Sequence, residues 1–131
     1  MKRHYGGKRP SGVDAVYLFT RYWGGGYANC IGGVRFNDRA FAFGSIDYKI
    51  EETITAPYQV DEGVIAAHEI GHLLGAHHHY ANCIEALPSG GPRGDFGPCT
   101  TMSPYTFMFS STFGTVEEAF IRDYAARYAK G

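Results

Sequence analysis

The 131-residue sequence predicts an α/β (α+β) fold: a small mixed β-sheet stacked on one long helix, followed by a C-terminal lobe that ends in a second helix. Three observations carry that prediction. Short runs rich in β-branched and aromatic residues fill the first third of the chain, a helix-period segment follows and stops at Gly75, and another such segment closes the sequence.

The first strand is expected over Asp14 to Thr20 (DAVYLFT), which is too short for a helix. Gly24, Gly25 and Gly26 break it. Cys30 to Phe36 (CIGGVRF) reads as a second strand, at an edge because paired glycines weaken a strand interior. After the turn at Asn37 and Asp38, Ala40 to Ile46 (AFAFGSI) alternates Phe41 and Phe43 with small residues and reads as a third. Asp61 is a suitable N-cap for the central helix, Glu62 suits its first turn, and Gly75 suits its end. On that helix Ala66, Ala67, Ile70, Leu73 and Leu74 are expected to face the core, with His68, Glu69 and His72 on the other side. Residues 81 to 98 (with LPSGGPRGDFGP) read as an irregular loop. Thr115 and Glu118 carry a capping-box pattern, and Val116, Ala119, Phe120, Tyr124 and Tyr128 continue it at helical spacing.

Composition narrows the function classes. Twelve Lys+Arg against 13 Asp+Glu give no basic field of the kind that binds nucleic acid, so no nucleic-acid partner is expected. No apolar run reaches the roughly 20 residues that span a bilayer, and residues 1–12 lack the apolar stretch of a signal peptide. One domain, a monomer, is the reading: a lead of 1–13 expected to be flexible, an N-terminal part over 14–75 and a C-terminal part over 76–131. Cys30, Cys83 and Cys99 allow one disulfide and one thiol, or three thiols.

The chemistry lies in HEIGHLLGAHHH, residues 68 to 79. Histidines four apart on a helix stand on the same face, so His68 and His72 can reach one zinc ion at about 2.0–2.1 Å. Catalytic zinc takes three protein ligands and keeps one position open, so a third ligand must come from beyond the helix. Gly75 can adopt the left-handed turn that ends the helix and swings His78 back. Glu69 then stands near the metal without ligating it, placed to act as general base. His77 and His79 read as solvated neighbours or outer hydrogen-bond donors to the site. A closed structural zinc site would instead recruit a fourth ligand from His77, His79 or Cys83.

This H-E-x-x-H-x-x-G-x-x-H pattern, strict at His68, Glu69, His72, Gly75 and His78, resembles the extended zinc signature of the metzincin clan of metallopeptidases. Within the clan the chain is similar to reprolysin-like (adamalysin-like) peptidases and their bacterial secreted relatives, through LFT in the first strand, Cys83 five residues after His78, and Pro104 after Met102. It departs from that family in having Cys99 three residues before Met102 rather than two, and His79 where Asp is common. The resemblance spans roughly 14 to 130, with only 13 residues before Asp14, which implies either a compact version of the fold or a fragment of a longer precursor.

What the resemblance implies is a zinc endopeptidase acting on peptide or protein substrates. It would have one catalytic Zn2+ and an extracellular setting. Met102 in CTTMSP would form the methionine turn beneath the metal, and Cys83 and Cys99 a disulfide across the 81–98 loop. Ile31, Gly32, Gly33 and Pro104 are expected to line the substrate cleft, with the glycine pair on its edge strand.

Overall fold

The structure, a computed structural model, describes residues 1–21, 25–46, 62–78, 100–102 and 113–129. Val16–Thr20 (β1) and Phe41–Ser45 (β3) pair in parallel, with Leu18 opposite Phe43. Gly26–Ala28 (β2) pairs antiparallel on the other side of β3, with Gly26 opposite Gly44. The sheet is therefore mixed, in the order β1-β3-β2. With the helices Glu62–Leu73 (α1) and Thr115–Tyr128 (α2), the architecture is the α+β arrangement the sequence predicts.

Period-two alternation on β3 decides how α1 sits. Ala42 and Gly44 share one face, and α1 packs there so closely that a methyl at position 44 would stand 2.8 Å from Ile65 Cγ2. Phe41 and Phe43 take the other face, where Tyr5 covers Phe41 with ring centroids 6.4 Å apart. On that face Leu18 and Tyr27, the neighbours of Phe43, stay exposed. Among the described residues, Ala40, Ala42, Ile65, Leu73, Ala76, Val34, Phe41 and Met102 make up the buried apolar core.

Several expectations are corrected. Cys30–Phe36 is not a strand: Gly32 adopts φ +73°, and a 3-10 turn follows over Gly33–Arg35. A left-handed residue cannot continue a ladder, and the pairing edge lies earlier, in the glycine-rich stretch read as a breaker. Residues 1–13 are expected only as a flexible lead. They hold a 3-10 turn at Lys2–Tyr5, and Arg9 bonds the Asn37 carbonyl through its N–H at 2.7 Å, Asn37 Oδ1 through its side chain at 3.2 Å, and the Asp14 carbonyl.

On α1 the division into a core face and a chemical face holds only in part: Leu73 is fully buried, but Ala66, Ala67, Ile70 and Leu74 are half-buried while His68, Glu69 and His72 are themselves buried. The helix is covered from both sides, by the sheet and by Met102 with Phe113, whose Sδ and Cε1 would meet a methyl at Gly71 at 2.6 and 3.0 Å. Helix α2 forms as expected, but Gly114 is its N-cap and no side chain caps it, so the Thr115–Glu118 box is not made. Val116, Ala119 and Phe120 are exposed, and α2 docks through Tyr124 and Tyr128 instead. Its outer face carries the i,i+4 pairs Glu118–Arg122 and Asp123–Arg127.

Candidate metal centre

Helix α1 supplies two of the convergent histidines and its C-terminal turn supplies the third. The turn is a Schellman motif: Ala76 N–H donates to the Gly71 carbonyl at 2.9 Å and Gly75 N–H to the His72 carbonyl at 2.9 Å, with Gly75 at φ +90°. A side chain at 75 would be strained in that conformation, which is why glycine stands there. The chain reverses and brings His78 back over the helix.

The three Nε2 atoms form a near-equilateral triangle. His68 to His72 is 3.1 Å, His68 to His78 is 3.0 Å and His72 to His78 is 3.0 Å. Hydrogen bonds at the far side of two rings fix what these atoms carry. His68 Nδ1–H donates to the Thr101 carbonyl at 2.6 Å, and His72 Nδ1–H donates to the Ala76 carbonyl at 2.8 Å. A carbonyl only accepts, so in the neutral rings the proton is on Nδ1 and a lone pair is on Nε2.

Burial favours this neutral form. It pushes His68 down to about 4, against the Thr101 hydrogen bond, with His72 and His78 adding to the depression, and it also lowers His72. Lone pairs converging at 3 Å repel one another unless a cation lies among them. Zinc with nitrogen at about 2.0–2.1 Å in tetrahedral geometry separates its ligands by about 3.3 Å, within a few tenths of the observed triangle. The donor set, three imidazole nitrogens with outer partners orienting two of the rings, fits zinc. His68 and His72 are buried while His78 is exposed, so the cluster opens to solvent on one side.

Glu69 leaves the same helix toward the sheet edge. Its side chain lies across Gly26, where a methyl would meet Oε1 at 2.5 Å and Cγ at 2.6 Å, and its carboxyl takes a backbone hydrogen bond from Ala28. Burial pushes its pKa up to about 7, against the Ala28 hydrogen bond. Tyr17 reaches Gly44, the cross-strand partner of Gly26. Its buried hydroxyl has no hydrogen-bond partner among the described residues, and burial followed by the Glu69 charge pushes its pKa up to about 12. Met102 is fully buried against Gly71, one residue from the Thr101 carbonyl that orients His68.

Gly32 and Gly33 are buried: a methyl at 32 would strike Tyr124 Cε1 at 2.7 Å, and one at 33 the Arg39 carbonyl at 2.5 Å. The pair packs closely against its neighbours, and Gly26 and Ala28 stand beside Glu69. Ile31 is exposed next to that turn. His77 is exposed, 6.1 Å from the Phe120 ring by centroids, and does not join the histidine triangle. Pro104, His79, Cys83 and Cys99 lie outside the described residues. Cys30 is half-buried and makes no disulfide among the described residues.

Sequence reasoning missed Gly26, Ala28, Thr101 and Ala76. Three of them act through backbone atoms that any side chain could accompany, and only Gly26 left a signal, as one more glycine in a run of three.

The fold is that of a metzincin-type metallopeptidase. The family model for Metallo-peptidase family M12B, Reprolysin-like, matches residues 2–79, and the chain belongs to that family. It is also 35% identical over 96 residues to a protein of Streptomyces sp. (strain C5) named extracellular small neutral protease. The match covers 72% of this chain and 35% of that relative, so the chain spans about a third of the relative's length. Membership implies zinc, and His68, His72 and His78 form a cluster that could hold it.

Proposed function

We propose that the chain is a zinc-dependent endopeptidase in which His68, His72 and His78 hold one catalytic Zn2+ and Glu69 is the general base. The observation that carries this reading is the convergence of three Nε2 lone pairs at 3.0–3.1 Å, with the Nδ1 protons of His68 and His72 engaged by backbone carbonyls. A zinc ion held by His68, His72 and His78 would supply Lewis acidity, polarising a peptide carbonyl and making water more acidic at the site.

The remaining steps belong to the chain. Glu69 accepts the proton that the attacking water gives up, holds it on a carboxyl whose burial favours the protonated form, and passes it to the leaving amine nitrogen. Gly26–Ala28, an edge strand among the described residues, offers backbone groups along which an extended peptide could lie beside Glu69. Met102 would form the floor beneath the ligands. The Streptomyces relative's name supports an extracellular setting, with which a Cys83–Cys99 disulfide would accord.

The test is cleavage of casein by the purified chain with and without a chelator, together with Glu69→Gln. The expected outcome is chelator-sensitive cleavage, and a Glu69→Gln protein that retains its zinc while turnover falls by about 10²–10⁴-fold. Full activity in zinc-loaded Glu69→Gln would refute the assignment.

A further inference from the structure

Helix α2 touches the metal centre at second hand, through one ring. Tyr124 lies between two glycines that both have left-handed backbone. One edge of the ring covers Gly75, where a methyl would stand 2.6 Å from Cδ2 and 3.0 Å from Cγ. The opposite edge covers Gly32, where it would stand 2.7 Å from Cε1 and 3.1 Å from Oη. Gly75 N–H and Gly32 N–H both donate to the His72 carbonyl, at 2.9 and 2.8 Å. The ring thus clamps, from outside, a helix end on which two separate stretches of backbone converge.

That helix end carries two of the three convergent histidines. Ala76, the residue after Gly75, supplies the carbonyl that holds His72 Nδ1–H at 2.8 Å, and His78 follows two residues later. Ordering the left-handed turn at Gly75 is costly, since glycine loses more conformational freedom on folding than any other residue. A flat ring laid over both glycines restricts them without needing a Cβ from either, and Tyr128, one turn further along the same helix, adds a second contact to the 32–35 turn, its ring centroid lying 5.7 Å from the Arg35 guanidinium.

We infer that Tyr124 is a positioning residue for the metal: by closing over Gly75 and Gly32 it fixes the turn that orients His72 and presents His78. The inference rests on the ligand set proposed above and adds to it a role for α2, which carries no ligand. Outer residues that orient metal ligands are worth about 10–100-fold in metal affinity. Removing the ring should therefore weaken zinc binding more than it weakens the fold.

The experiment is zinc affinity by chelator competition, read beside thermal midpoints of the zinc-free and zinc-loaded protein. Wild type, Tyr124→Phe, Tyr124→Leu, Tyr124→Ala and His72→Ala are compared. Tyr124→Phe keeps the ring and should bind within about twofold of wild type. Tyr124→Ala should bind about 10–100-fold more weakly, and the rise in midpoint on adding zinc should shrink, because ligand-linked stabilisation follows affinity. If Tyr124→Ala does not fold, Tyr124→Leu, which keeps bulk without a flat ring, is read the same way. A folded Tyr124→Ala or Tyr124→Leu with wild-type zinc affinity overturns the inference. Loss of zinc in His72→Ala alone would leave the ligand set standing without it, whereas wild-type affinity in His72→Ala would remove the ligand set itself.

Discussion

The Glu69 side chain lies across the Cα of Gly26, so close that a methyl group there would stand 2.5 Å from Oε1. Gly26 is in extended backbone within β2 and has no left-handed φ, so its lack of a side chain serves space and not conformation. Gly26→Val should fold and should bind zinc as wild type does, since no histidine is touched. The carboxyl would be driven off its place, and misplacing a reacting group by about 1 Å can lower turnover about 10²-fold. Wild-type kcat in Gly26→Val would mean that the position of Glu69 over the strand is irrelevant to catalysis.

Without metal, the site makes stability depend on pH in two opposed ways. His68 has its pKa depressed from 6.5 to about 4 by burial, so the unfolded chain binds the extra proton. Its contribution is whole above pH 6.5 and is lost as the pH falls toward about 4. His72 is lowered for the same reason and adds to this acid limb. Glu69 has its pKa raised from 4.5 to about 7, so the folded chain holds the extra proton. Its contribution is whole below pH 4.5 and is lost as the pH rises through about 7. The zinc-free protein should therefore be most stable at about pH 6–7, where both histidines have regained most of their contribution and Glu69 has not yet lost all of its own. Urea midpoints from pH 4 to 8 check this, with Glu69→Gln expected to flatten the alkaline limb. A zinc-free midpoint that climbs steadily to pH 8 would contradict it.

Met102 is fully buried, with its sulfur against Gly71 between the two helical histidines. Met102→Ala leaves a void under α1 and should destabilise the protein by about 2–5 kcal/mol. Met102→Leu, of similar volume, should lose less than about 1.5 kcal/mol. Urea unfolding of both variants measures the difference, and equal stabilities would mean that the space around Met102 collapses freely.

The parts of this molecule that could be read from sequence are those set by side-chain identity at fixed spacing. His68, His72, Gly75 and His78 obey the geometry of one helix and one left-handed turn, so their convergence follows from local rules alone. The strands around LFT and AFAFG were legible for the same reason, because β-branched and aromatic residues alternate there. The edge strand was not. Gly26–Ala28 has only one large side chain, and its pairing with β3 depends on a neighbour remote in sequence. The exposure of Val116 and Phe120 was also hidden, since helical spacing shows which residues share a face but not whether another element covers it. Thr101 and Ala76 act through carbonyls, which no sequence pattern marks.

The central claim is most directly tested by X-ray absorption at the zinc edge on the zinc-loaded protein. Three imidazole nitrogens at about 2.0–2.1 Å and one oxygen, with one zinc per chain, are the result expected here. A sulfur at about 2.3 Å, a fourth imidazole, or fewer than three imidazoles would contradict it.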